Sequence, residues 1–165
     1  MKSVLTALLL SISLIFSSGM TSYAQDFEKG LRAAQSGDFA TALREWVPLA
    51  EEGYSGAQTA LGMFYSEGIG ITPNYSEAVK WYGKAANQGN AIAQYNLGLM
   101  YTNGRGVVQD TNQALKWFRK AAEQGEARAQ ANLGFYFAEG AGVAKNYSQA
   151  VKWYGKAANQ GHAIA

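Results

Sequence analysis

The sequence predicts an all-α chain built as a stack of antiparallel helix pairs. Three observations carry this. Trp81, Trp117 and Trp153 recur every 36 residues, each followed eight residues later by Gly89, Gly125 and Gly161. Leu61-Gly62, Leu97-Gly98 and Leu133-Gly134 keep the same interval. A period of this length marks stacked copies of one supersecondary unit rather than a single globular core. Within each copy, Ala57, Leu61 and Tyr65 and their equivalents sit at offsets 0, 4 and 8, which is one stripe along a helix.

The first stretch stands apart from the repeats. Met1-Lys2 is basic, Val4 to Phe16 is mostly apolar, and Ser22-Tyr23-Ala24 offers small residues where a signal peptidase reads them. Residues 1–24 are therefore expected to be a signal peptide and the protein to be exported, periplasmic or secreted. The apolar run is shorter than the roughly 20 residues a membrane span needs. Residues 25–53 read as a variant helix pair with a shorter internal loop, and Pro48 is expected to kink its second helix.

Three regular units follow, at 54–89, 90–125 and 126–161. The first helix of each opens at Ala57-Gln58, Ala93-Gln94 or Ala129-Gln130. Its middle glycine costs about 1 kcal/mol against alanine, so its recurrence points to close helix packing. A Gly-x-Gly loop comes next, at Gly68, Gly104 and Gly140. No strand precedes it, so turn positions with positive φ explain it better than phosphate binding. Asn74, Asp110 and Asn146 stand at N-cap positions, with Glu77, Gln113 and Gln149 three residues on as in a capping box. Each second helix carries the tryptophan and a paired alanine, and Gly89, Gly125 and Gly161 fit its C′ end. Residues 162–165 begin a further, incomplete unit. Residues 74–93 and 146–165 agree at eighteen of twenty positions, a closeness that fits duplication.

The pattern resembles the SEL-one-like repeat family, a branch of the tetratricopeptide superfamily. The copy at 93–125 matches its Ala-x-x-x-Leu-Gly-x-x-Tyr-x-x-Gly-x-Gly and Trp-x-x-Lys-Ala-Ala signatures throughout, and Phe137 replaces the tyrosine in the last copy. Residues 26–53 look more like a plain tetratricopeptide unit. The resemblance implies a right-handed α-solenoid of about four helix pairs, with first helices lining a concave face. It also implies an adaptor, regulator or host-contact protein, and no catalytic residues. Some secreted relatives are cysteine-rich and linked to β-lactams, but this chain has no cysteine.

Chemistry is poorly represented. His162 is the only histidine, so neither a zinc site nor a catalytic triad has its parts. Ser76 and Lys80 are four apart, not the three of a Ser-x-x-Lys nucleophile. No cofactor or metal is expected. Without residues 1–24 the chain holds 13 basic and 12 acidic residues, a balance that gives the protein no basic field for nucleic acid and no anionic surface of its own, and no stable membrane span is expected after cleavage.

The expected role is a non-catalytic scaffold of the bacterial envelope that binds a peptide or protein on its concave face. Residues two before and two after the repeated leucine should face that side: Thr59 and Met63, Tyr95 and Leu99, Ala131 and Phe135. Ser66, Thr102 and Ala138 lie one turn on, and Arg128 flanks them. Met63, Leu99 and Phe135 would form an apolar ladder, unless they merely pack between repeats. The alternatives are a β-lactam- or cell-wall-acting enzyme, which lacks a nucleophile–base pair, and a truncated structural module. Exposed apolar area is expected on the helix at 146–160, with self-association through that end.

Overall fold

The computed structural model describes residues 22–161. Most of the expected signal peptide, together with His162 and residues 162–165, lies outside them. Eight helices and no strand occur among the described residues. Helix α1 covers 22–35 and α2 Phe39–Glu51. Three further pairs follow: α3 (Ser55–Glu67) with α4 (Tyr75–Asn87), α5 (Ala91–Asn103) with α6 (Thr111–Glu123), and α7 (Ala127–Glu139) with α8 (Tyr147–Ala158). Each helix packs on the next, and the first helices α3 and α5 also touch across the repeat boundary. This is a solenoid of four antiparallel pairs whose first helices line the inner side. Helix α2 runs through Pro48 to Glu51. Residues 22–24, on the signal side of the expected cleavage point, are helical here, with the Tyr23 ring centroid 6.4 Å from that of Tyr54.

The mid-helix glycines bring the helices of a pair together. A Cβ on Gly62 would lie 2.5 Å from the Tyr82 ring, one on Gly98 2.6 Å from Phe118, and one on Gly134 2.6 Å from Tyr154. In the variant pair Gly30 faces Trp46 at 2.4 Å. Second helices then bury their tryptophan, with Trp81, Trp117 and Trp153 at 7–9% exposure, and their paired alanines except Ala158 of α8, which is exposed.

The loop between helices ends α3, α5 and α7 at left-handed Gly68, Gly104 and Gly140, whose N–H groups donate to Phe64, Met100 and Tyr136 carbonyls. The second loop glycine presses on the preceding pair: a Cβ on Gly106 would sit 2.3 Å from the Tyr75 carbonyl oxygen. Asn74, Asp110 and Asn146 cap as expected, accepting from the N–H of Glu77, Gln113 and Gln149. The reciprocal half of the box is not made. The cap N–H groups donate instead to carbonyls of Tyr65, Tyr101 and Phe137 at 2.8–3.0 Å, which closes the loop onto the first helix. Glu77, released from that task, pairs with Lys80.

A chain of buried glutamines joins the pairs. Gln58 donates to the Ala50 carbonyl at 2.9 Å and accepts from Gln88 at 2.7 Å. Gln94 repeats this with Ala86 and Gln124, and Gln130 with Ala122 and Gln160. Each glutamine thus ties three successive helices, and no buried side-chain N or O among the described residues lacks a partner.

Two substitutions separate packing from propensity. Gly98→Ala drives a methyl into Phe118, which is fully buried and has no room to yield, so about 1–3 kcal/mol of overpacking exceeds the propensity gain. Gly83, within α4, has open space around a Cβ, and Gly83→Ala gains about 1 kcal/mol. Urea midpoints should move in opposite directions. Gln94→Leu removes the acceptor of the Gln124 amide and leaves the Ala86 carbonyl to the Gly89 N–H, and should cost about 1 kcal/mol in the same assay.

Candidate functional site

A mainly apolar groove of about 300 Å³ crosses the inner face between α1, α3 and α5. Phe27 and Leu31 come from α1, and Gly56, Thr59, Ala60 and Met63 from α3. Asn90, Ile92 and Asn96 close the far side, with Trp46 at the floor. The Trp46 indole donates to the Phe27 carbonyl at 3.1 Å, so its polar edge is satisfied and its ring stays apolar. Met63 is 43% and Ile92 48% exposed, and both line this groove. Across both α3 and α5 the only charged residue is Glu67.

The expected face residues divide into three groups. Thr59 and Met63 line this groove; the Thr59 hydroxyl donates to the Ser55 carbonyl, which leaves its methyl to the groove. Further along, Phe135 is 53% exposed and packs edge-on against Tyr136. Near it, the Arg128 guanidinium lies 4.5 Å above the Tyr95 ring and is anchored by Glu126 at 2.7 Å. The Glu126 hydrogen bond raises the Arg128 pKa, and burial raises that of Tyr95. Ala131 and Ala138 are half-buried and offer little area.

The third group is turned largely into the fold. Ser66 is buried, donating to the Met63 carbonyl at 3.1 Å, with its oxygen 3.2 Å from the Tyr82 hydroxyl. Thr102, half-buried, donates to the Gly98 carbonyl and lies 3.1 Å from the Tyr136 hydroxyl. Leu99 is half-buried against the core shared by α6, α7 and α8. The ladder therefore has exposed ends at Met63 and Phe135 and a covered middle rung. Among the described residues, no group of three His, Cys, Asp or Glu side chains is placed to hold a metal ion.

The Sel1 repeat model matches residues 55–90, 91–126 and 127–162. The chain belongs to the Sel1 repeat family. It is similar to a Sel1 repeat protein from Oxalobacter formigenes, at 40% identity and a TM-score of 0.78, over 82% of this chain and 55% of that one. It is also similar to c5321, a protective antigen of uropathogenic Escherichia coli with an SLR fold. Identity there is 39% and the TM-score 0.81, over 90% of this chain and 33% of that one. Helicobacter pylori cysteine rich protein B shares 26% identity at a TM-score of 0.60, over 75% and 89% of the two chains. The chain thus spans 55% and 33% of the lengths of the first two. No curated protein matches it.

Sequence reasoning missed Phe27, Leu31 and Ile92. The signal for Ile92 was present: its frame position holds Gly56 in the preceding Sel1 repeat and Arg128 in the next. The position lies outside the repeated core pattern, so what it does is set by each repeat's own neighbours: Arg128 stacks on Tyr95, whereas Ile92 is exposed in the groove.

The Ser66–Tyr82 contact yields a pH test. Burial pushes the Tyr82 hydroxyl up to about 12 from an ordinary 10, with Ser66 opposing the shift. The neutral form is favoured in the fold, so this contribution is complete below pH 10 and is lost as pH rises towards about 12. Stability measured across that window should fall less steeply in Tyr82→Phe than in the parent protein.

Proposed function

We propose that the chain is a non-catalytic scaffold of the bacterial envelope that holds a protein partner on its inner face. Sel1 repeat folds generally serve as protein–protein interaction scaffolds. The observation that carries the reading is the groove between α1, α3 and α5, where Met63 and Ile92 stand exposed on an almost uncharged surface. Leaving such side chains in water is unfavourable by roughly 25 cal/mol per Å² of apolar area, and a partner that covers them recovers that free energy. At the rim, Asn96 offers an amide donor and acceptor to a peptide backbone, and Asn90, whose oxygen caps α5 at the Ala93 N–H, offers its NH2 donors. The fitting ligand is a short peptide or helix with apolar anchors and few charges of its own. Export rests on the basic start, apolar run and small-residue site of residues 1–24.

The test is site-specific photo-crosslinking in the bacterial periplasm. Probes at Met63 and Ile92 should capture one partner, and a probe at Ser76 on α4 should not. Ile92→Asp should abolish capture through Met63 with helical content unchanged. Capture from Ser76 alone, or capture that survives Ile92→Asp, would overturn the groove as the binding face.

A further inference from the structure

Charge is nearly balanced in total but unevenly distributed. Residues 26–67 hold seven carboxylates against three cations, whereas residues 68–161 hold ten cations against five carboxylates. Much of the basic excess lies on the outward side of the second helices. Lys80, Lys116 and Lys152 form one row at the repeat interval, all exposed. A second exposed row, Lys84, Lys120 and Lys156, runs beside it one helical turn on. Arg119 adds a seventh cation. Glu77 and Glu123 are the carboxylates on these same helices. Among the described residues only Lys80 of the seven is in an ion pair, with Glu77.

The second row has a packing role: its ammonium groups lie 4.3–4.5 Å above the centroids of Trp81, Trp117 and Trp153. The first row does less there, with Lys80 and Lys116 at 5.6 and 5.9 Å. Arg119 covers no ring. Among the described residues, Arg119 and Lys152 have neither an ion pair nor a ring beneath them, and the ring contacts of Lys80 and Lys116 are the longer ones; none of the four lines the apolar groove.

We propose that this outer face docks on an anionic lipid surface through its phosphate headgroups. Lysines on flexible stems suit headgroups that move laterally, and each cation near such a surface contributes independently. Nucleic acid fits less well. The tryptophans of this face are buried beneath lysines and offer no ring to a base; the exposed rings of the second helices, Tyr75 and Tyr147, stand at the helix starts, away from the lysine rows. The rows also stand on the outer ridge of the solenoid, which does not enclose a strand. Docking by this face would leave the inner groove open, so the inference does not depend on the groove's partner.

The experiment is co-sedimentation of the purified protein with vesicles of phosphatidylglycerol and phosphatidylcholine, against phosphatidylcholine alone. Binding should require the anionic lipid. It should disappear near ~1 M salt, where the screening length is about 3 Å. The triple variant Lys116→Gln, Arg119→Gln, Lys152→Gln should bind on the order of a hundredfold more weakly. Glu123→Lys, which adds a cation at an exposed site, should bind roughly fivefold more tightly, a readout that survives if the triple variant folds poorly. Binding indifferent to headgroup charge, no change in Glu123→Lys, or preference for a DNA duplex at equal salt would overturn the proposal.

Discussion

The spacing between the two helices of each pair depends on a glycine backbone pressed against an aromatic ring. Gly62 meets Tyr82, Gly98 meets Phe118, Gly134 meets Tyr154, and Gly30 meets Trp46 in the variant pair. The rest of the geometry follows from that approach. With the helices this close, the paired alanines of α4 and α6 reach zero or near-zero exposure opposite the first helix, as does Ala157 of α8, whereas Ala158 at the end of the stack is exposed. The Gly-x-Gly loop can then turn tightly enough for its second glycine to touch the preceding pair. Side-chain hydroxyls adjust around the rings. Ser66 meets Tyr82 in the first copy, but Phe118 has no hydroxyl, and Thr102 meets Tyr136 of the next repeat instead.

Much of this frame was legible in the residues because it is repeated. Caps, left-handed glycines and close-packing glycines each leave the same mark three times over. The capping box was half right. A side chain at the third helical position suggests a reciprocal bond, but the competing acceptor is a carbonyl of Tyr65, Tyr101 or Phe137, and a backbone carbonyl leaves no trace in sequence. The glutamines after Ala57, Ala93 and Ala129 were visible as a repeated residue. Their task spans 8 and 30 residues, distances at which a helical pattern carries no information.

The candidate face was only partly legible, for a related reason. Met63, Leu99 and Phe135 occupy one frame position, yet their exposure differs because each faces a different neighbouring helix. Exposure in a solenoid belongs to pairs of repeats, and a single repeat read alone does not contain it. Charge shows the same limit. A total near zero describes a sum, whereas a partner meets a distribution, here with bare apolar side chains on one face and lysine rows on the other.

The glutamine chain has a consequence for how such a protein can change length. Every link uses the same donor, the same acceptor and the same 36-residue offset. If a whole unit is inserted or deleted in frame, each remaining glutamine finds an alanine carbonyl before it and a glutamine after it. No polar atom is stranded in the core by the edit. A partial unit inserted within a helix shifts a glutamine off the alanine carbonyl that it meets. Gene duplication therefore has a preferred quantum in this chain, and the near-identity of residues 74–93 and 146–165 is what one such event would leave behind.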